Sequence, residues 1–134
     1  MQQQDATFYV SMNGVIIHDE KALLLRKISG GWDLPGGRLG VAESPKQCLV
    51  REIQEETGFA VTPGVLLHRW VRRRPANIDV FLVSHLCQIS GAVRDATLSL
   101  EHDLFGWFSE TEVASLKSSK GVHESVKRAF RRTG

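Results

Sequence analysis

Three glutamates in the middle of the chain have the spacing of neighbours on one helix face. Glu52, Glu55 and Glu56 stand at positions i, i+3 and i+4, and side chains at these offsets lie side by side on an α-helix. Three carboxylates so placed repel one another, and a hard divalent cation relieves that repulsion because Mg²⁺ prefers carboxylate and water oxygens. The spacing therefore points to a metal site, although this pattern alone more often marks a solvated helix face.

Helix signals enclose these glutamates. Ser44 is a good N-cap, Pro45 suits the first helical position, and Gln47 completes a capping box. Gly58 is a typical residue just past a helix C-terminus. The sequence therefore predicts a helix over Pro45–Thr57.

The residues around the glutamates suit a charged site that borders buried structure. Leu49 and Ile53 form an apolar stripe at i, i+4, which we expect to face the core. Arg51 is a local counter-charge, and Glu43 lies just before the N-cap. Upstream, Gly36–Gly37 allows the backbone to approach a partner closely. A glycine loop leading into an acidic helix can hold a complex of phosphate and metal.

Taken together, the segment 37–59 resembles the Nudix box. That signature reads Gly, five residues, Glu, seven residues, Arg-Glu, an aliphatic residue, any residue, Glu-Glu, any residue, Gly and an aliphatic residue. The matching residues are Gly37, Glu43, Arg51, Glu52, Ile53, Glu55, Glu56, Gly58 and Phe59. Phe59 is aromatic where an aliphatic residue is usual, and the lead-in Trp32–Gly37 also resembles the family.

The resemblance implies a fold and an activity. The fold is of the α/β (α+β) class, a Nudix-type α/β/α sandwich with a mixed β-sheet, which we expect to form a single domain over residues 1–134. Nudix enzymes hydrolyse nucleoside diphosphates linked to another group, and they require Mg²⁺ or Mn²⁺. We therefore expect a MutT-like hydrolase whose partner is a small-molecule nucleoside diphosphate derivative.

The resemblance also implies roles for individual residues. The expected metal ligands are Glu52, Glu55, Glu56 and the Gly37 carbonyl. Glu52 and Glu55 are the box residues expected to take part in catalysis, with Glu52 or a glutamate outside the box as general base. Arg51 would hold a glutamate in place, and Glu43 would be an outer ligand or a structural partner.

Other candidates lie outside the box. Family members often place one more carboxylate on a later loop, and Glu101 is the candidate here, with Asp103 and His102 as rivals. A basic patch around Arg72 and Arg74 could meet substrate phosphates, since alternation puts these two residues on one strand face. Trp70 could stack on a base. A solvated strand end and a core tryptophan are the simpler readings.

Apolar periodicity and turn residues predict strands before and after the central helix. A mixed sheet with packed helices follows from this order. The predicted strands are Thr7–His18, Ala22–Lys27, Val65–Arg73, Ile78–Ile89 and Phe105–Phe108, and the predicted later helices are a short one from Ser109 to Leu116 and a closing one over Val122–Arg132.

Composition limits the other classes of function. The chain has 134 residues, of which 42% are hydrophobic, and its net charge is +2. So small an excess does not favour a nucleic-acid binder. No uninterrupted apolar run of about 18 residues could span a membrane, so a cytoplasmic protein is expected. Cys48 and Cys87 are predicted to be buried residues that fill space in the core. A homodimer stays open, since many Nudix relatives are dimers.

The sequence leaves the substrate open. The chain lacks the N-terminal extension common among ADP-ribose pyrophosphatases, which favours a MutT-like nucleoside triphosphate pyrophosphohydrolase. Pro75 fits an ADP-ribose pyrophosphatase marker but is equally well explained by a turn. An ADP-ribose or nucleotide-sugar pyrophosphatase, an RNA-end processing enzyme and a non-catalytic nucleotide-binding Nudix module are the alternatives.

Overall fold

A computed structural model of the protein describes residues 3–91 and 102–133, without the side chains of residues 102 and 103. Seven strands and three helices follow one another along this part of the chain. They are β1 (Tyr9–His18), β2 (Lys21–Lys27), β3 (Trp32–Asp33), β4 (Gly36–Arg38), α1 (Pro45–Thr57), β5 (Val61–Arg72), β6 (Val80–Ile89), β7 (His102–Phe108), α2 (Glu110–Ala114) and α3 (Lys120–Thr133).

The sheet is mixed and is organised around β1. The order of its main path is β3-β2-β1-β6-β5, while β4 pairs with β1 and β7 pairs with β2. β1 runs parallel to β6 and antiparallel to β2 and β4. The other pairs, β2 with β3, β2 with β7 and β5 with β6, are antiparallel. The predicted mixed sheet is confirmed.

Helices cover both faces of this sheet. On one face, α1 packs Leu49 and Ile53 into a core cluster with Met12, Leu23 and other strand residues. On the other face, α2 and α3 pack into a second cluster that contains Val15 and Leu24 of the same two strands. Alternate residues of β1 and β2 thus enter opposite cores, as the pleat requires. The result is the predicted α/β/α sandwich.

The central helix has the predicted bounds, and its caps explain them. The Ser44 hydroxyl accepts from the Gln47 N–H at 3.1 Å, and the Gln47 side chain accepts from the Ser44 N–H at 2.9 Å. Pro45 occupies the first turn, where a missing N–H costs nothing. At the other end, Gly58 has φ 79°, a left-handed conformation that favours glycine.

The strands differ from their predicted bounds in the loops around Pro and Gly. β5 begins at Val61 and not at Val65, because register shifts near Pro63 let an edge strand pass through a sequence that looks like a break. β6 begins at Val80, and β7 begins at His102 along β2. The glycine-rich stretch 32–40 contains two short strands, β3 and β4, that propensity did not predict.

Cys48 and Cys87 are free and buried, which agrees with their predicted role as filler. Within residues 3–91 and 102–133, no helix is long and apolar enough to cross a membrane.

The capping box of α1 generates a stability prediction. Ser44→Ala removes the acceptor for the Gln47 N–H and should lower the free energy of unfolding by about 1 kcal/mol. Lys46→Ala is the matched control, because Lys46 is exposed in the same helical turn and lacks the capping role. Urea unfolding monitored by circular dichroism measures both variants. Equal stability of the two variants would contradict the capping account.

Candidate active site

The glycine loop places backbone directly against two of the three helix glutamates. In β4, Gly36 is paired with Asn13 and Gly37 with Met12, so this part of the loop runs beside β1 as its antiparallel neighbour in the sheet. The Gly36 N–H donates to a Glu56 carboxylate oxygen at 2.6 Å. A Cβ on Gly37 would overlap the Glu52 carboxylate. Glycine at position 37 is therefore required by the close approach of the glutamate.

The three glutamates occupy different environments. Glu56 is only 6% exposed, whereas the side chains of Glu52 and Glu55 are 20% and 59% exposed. The i, i+3, i+4 spacing does bring them to one region of α1, but it gives them a gradient from core to solvent. A buried carboxylate needs partners, and the Gly36 N–H is one of those that Glu56 has.

Arg51 lies at the centre of the acidic cluster. Its Nε and Nη2 atoms donate to the two oxygens of Glu43 at 3.0 and 2.7 Å, a bidentate pair. Its Nη1 atom donates to Glu52 at 2.9 Å and to Glu55 at 3.2 Å. One guanidinium thus binds three carboxylates. The predicted role of Arg51 as local counter-charge agrees with these contacts, and Glu43 is bound as its partner.

These contacts shift the pKa values of the groups that take part in them. The Arg51 guanidinium and, after it, the Gly40 N–H lower the pKa of Glu43 from 4.5 to about 2. The carboxylates of Glu43 and Glu52 in turn raise the pKa of Arg51. Glu43 and Arg51 therefore form a permanently ionised pair at neutral pH. Cys48, one turn away, stays a neutral thiol because burial raises its pKa to about 11.

Glu52 and Glu56 face an open cleft of about 870 Å³. Its floor is built from β1, β4, β6 and the end of β5, and the loop after β2 forms one wall. The lining combines carboxylates, cations, small polar groups and an apolar strip. It comprises Ser11, Asn13, Lys27, Ile28, Ser29, Asp33, Leu34, Gly36, Gly37, Arg38, Glu52, Glu56, Arg72, Val80 and Leu82.

Three cations line the cleft, and they differ in how they are held. Lys27 lies 3.7 Å from Asp33. Arg38 stacks over the ring of Tyr9 at 4.2 Å from its centroid. Arg72 makes no ion pair or hydrogen bond with the part of the chain that the structure describes. Positive charge thus faces the same space as the Glu52 and Glu56 carboxylates.

The basic patch divides between the cleft and its surroundings. Arg72 lines the cleft, but β5 ends there, so Arg74 lies in the following turn. The expectation that Arg72 and Arg74 share a strand face was therefore wrong. The guanidinium of Arg74 donates to the Ile78 carbonyl at 3.2 Å. Arg73 pairs with Asp79 at 2.9 Å.

The aromatic candidate lies beside the cleft and not in its lining. Trp70 stacks on His68 with ring centroids 5.2 Å apart, and it faces a smaller adjoining cavity of about 360 Å³. Its ring closes against Gly121, where a Cβ would overlap it. The third class of candidate, Glu101, lies outside the described residues, as do the side chains of His102 and Asp103.

Two side chains of the cleft are of the chemical type that a hard divalent cation prefers. Glu52 and Glu56 supply carboxylate oxygens on one side of the cleft, and the glycine loop lies directly against Glu52 with no Cβ between them. Carboxylate and backbone carbonyl oxygens are the ligands that Mg²⁺ prefers. In the described ranges, however, no three acidic, histidine or cysteine side chains are close enough together to share an ion. Arg51 draws Glu52 and Glu55 toward itself instead.

Comparison with known proteins identifies the family. The NUDIX domain model matches residues 10–130, which is most of the chain. The chain belongs to the Nudix family. The match confirms the resemblance read from the box, and with it the prediction of a Nudix-family pyrophosphohydrolase.

Individual relatives agree with this assignment. A MutT-like protein of Streptomyces ambofaciens is 34% identical over 119 residues, covering 84% of this chain and 74% of that protein. An RNA pyrophosphohydrolase of Saccharophagus degradans is 31% identical over 117 residues, covering 72% of this chain and 69% of that protein. The structure of a NUDIX hydrolase from Nitrosomonas europaea superposes with a TM-score of 0.80 at 24% identity, over 94% of this chain and 90% of the other.

Sequence reasoning missed several residues of the cleft. Asn13, Lys27 and Arg38 each belong to strands that reach the site only through sheet pairing. Asn13 is a polar residue at the centre of a largely apolar strand and is itself buried. A buried amide in such a strand needs partners, and that was the available signal. Lys27 and Arg38 offered no comparable signal.

The Glu43–Arg51 pair generates a prediction about pH. Because the folded-state pKa of Glu43 lies below the ordinary value of 4.5, the pair stabilises the fold above that pH and loses this contribution as pH falls toward 2. In Arg51→Met, the pKa of Glu43 should rise toward 4.5 while remaining below it, since the Gly40 N–H still donates. Carboxyl-carbon NMR titration measures this shift. Lys46→Met is the control, and titration of wild-type Glu43 near 4.5 would refute the assignment.

Proposed function

We propose that this protein catalyses the metal-dependent hydrolysis of a diphosphate linkage in a nucleoside diphosphate derivative, and that it is a MutT-like nucleoside triphosphate pyrophosphohydrolase. One observation carries the proposal. The Glu52 and Glu56 carboxylates face the same cleft as Lys27, Arg38 and Arg72. Carboxylates that can bind a metal ion and cations that can bind phosphates thus line the same cleft.

The acidic side of the cleft would hold the metal. Glu52, Glu56 and the Gly37 carbonyl are the nearest candidate ligands, and Glu55 joins them if its carboxylate leaves Arg51. When bound, Mg²⁺ or Mn²⁺ neutralises diphosphate charge and lowers the pKa of a coordinated water.

The chain itself would position the reactants. Glu52 accepts the proton of the attacking water, because its carboxylate is held at the cleft by Arg51 and Gly37. Arg72 and Arg38 bind phosphate oxygens, where guanidinium groups form charge-assisted hydrogen bonds. Catalysis of this kind depends mainly on positioning and charge balance, as in other phosphoryl transfers.

The cleft suits a small nucleotide better than a chain. Its volume of about 870 Å³ lies within the range of small-molecule sites. Of its apolar lining residues, Ile28 is 65% exposed and can contact a nucleoside, while the cations face the phosphates. The similarity to a MutT-like protein over most of the chain supports the MutT-like part of this proposal.

An RNA 5′ end is the second candidate substrate. The observation in its favour is the relative named as an RNA pyrophosphohydrolase, which matches 72% of this chain. Such a substrate would need basic surface beyond the cleft. Arg69, Arg131 and Arg132 are exposed and could supply it. A non-catalytic binding module is disfavoured by the intact set of box glutamates.

Substitution of the glutamates tests the proposed function. Glu52→Gln and Glu56→Gln should each reduce Mg²⁺-dependent release of nucleoside monophosphate by at least about a hundredfold, since each removes a ligand charge. Glu110→Gln, on the exposed first turn of α2, is the matched control and should keep full activity. Chromatographic assay of dATP, dGTP and 8-oxo-dGTP as trial substrates gives the rates. Unchanged rates in both glutamate variants would remove the site assignment.

Salt dependence separates the two candidate substrates. Binding of a 5′-triphosphorylated RNA should weaken steeply with salt if Arg69, Arg131 and Arg132 contact its chain, because each phosphate contact releases counterions. For a small-nucleotide enzyme, Arg131→Ala combined with Arg132→Ala leaves kcat/KM on a nucleoside triphosphate unchanged. Loss of RNA turnover in that double variant, with nucleotide turnover intact, would favour the RNA substrate.

A further inference from the structure

We propose that Tyr9 is a positioning residue for Arg38, and that its ring holds this guanidinium at the rim of the cleft as a cation with no carboxylate partner, ready for substrate phosphate. The inference rests on the proposed function, because it names what one cleft cation does there. Neither residue belongs to the helix that carries the acidic cluster. The observations that support this proposal come from the pairing of β1 with β4.

Strand pairing brings the two side chains together. Arg38 is paired with Ser11 across β1 and β4, so Tyr9 is its diagonal neighbour, two residues along β1. Diagonal neighbours on one sheet face are within reach of aromatic and long side chains. The Arg38 Cζ atom lies 4.2 Å from the centroid of the Tyr9 ring. Tyr9 and Ser11 share one face of β1, and Ser11 lines the cleft.

The ring holds the charge without neutralising it. A carboxylate partner would occupy the guanidinium N–H groups and cancel its charge, as Glu43 does for Arg51. An aromatic face attracts the cation through its quadrupole and leaves the in-plane N–H groups available. Within the residues that the structure describes, Arg38 has no ion pair and no hydrogen bond from its side chain. Its donors can therefore all serve an anion.

The location of Arg38 gives that charge a use. Arg38 follows Gly37, whose backbone lies against Glu52, so one short strand carries both the glycine approach and the cation. Arg38 and Arg72 line the same cleft as the Glu52 and Glu56 carboxylates, so a phosphate bound to either cation lies in the space that these carboxylates face. Tyr9 is 41% exposed, and its ring has no aromatic partner in the described structure. The role that we assign to this exposed ring is therefore to hold Arg38.

A double-mutant cycle tests the proposal with inorganic tripolyphosphate as the probe. Affinity is measured by calorimetry on the full chain without divalent cation. Arg38→Ala should weaken binding by about tenfold, the effect of losing a charge-assisted contact. Tyr9→Leu should weaken it by about threefold, and Tyr9→Phe should leave it unchanged. In the Arg38→Ala background, Tyr9→Leu should have no further effect. Arg131→Ala is the matched control, because Arg131 does not line the cleft.

Two results of the double-mutant cycle would overturn the proposal. An equal loss from Tyr9→Leu with and without Arg38 would show a general structural role and would overturn the proposal, as would no loss at all from Tyr9→Leu. Thermal midpoints of all variants show whether folding is retained. If Tyr9→Leu does not fold, a loss of affinity in Tyr9→Phe overturns the proposal, because phenylalanine keeps the aromatic face. Failure of the proposed function has a different signature. Wild-type protein would then release no product from any nucleotide, while the tripolyphosphate cycle would still give its answer.

Discussion

Repulsion among carboxylates is the constraint around which this site is built. Four glutamates, Glu43, Glu52, Glu55 and Glu56, lie within fourteen residues of the chain. The structure relieves their crowding in two ways. Arg51 binds three of them through one guanidinium. The fourth, Glu56, is nearly buried and accepts a hydrogen bond from the Gly36 N–H. One guanidinium therefore serves three of the four carboxylates, and two members of the cluster, Glu52 and Glu56, line the cleft.

The contacts of Arg51 with the cluster differ in length, and this difference bears on the proposed metal site. Arg51 is tied to Glu43 by two short hydrogen bonds and to Glu55 by longer ones of 3.2 and 3.4 Å. In the proposed function, the contact of Arg51 with Glu55 would therefore yield to a divalent cation more readily than the Glu43–Arg51 pair or the 2.9 Å bond to Glu52. The fold supports this because α1 is fixed at both ends by its caps and along its length by Leu49 and Ile53. A rigid helix keeps the carboxylates beside the glycine loop.

The sequence predicted the local features of the site more fully than its long-range ones. The bounds of α1 follow from Ser44, Gln47 and Gly58, whose effects act within a few residues, and the structure confirms them. The error at Arg74 arose because alternation was extended past the end of β5, which only the pairing with β6 determines. Lys27 and Arg38 enter the cleft through contacts between strands distant in sequence, which no local pattern encodes.

The most direct test of the central claim is anomalous diffraction from crystals grown with Mn²⁺ and a nucleoside diphosphate. The account predicts a manganese peak coordinated by Glu52 and Glu56, with the diphosphate on its far side toward Arg38 and Arg72 and with Arg51 still bound to Glu43. A nucleotide seated in the cleft with no anomalous peak beside these glutamates would contradict the account.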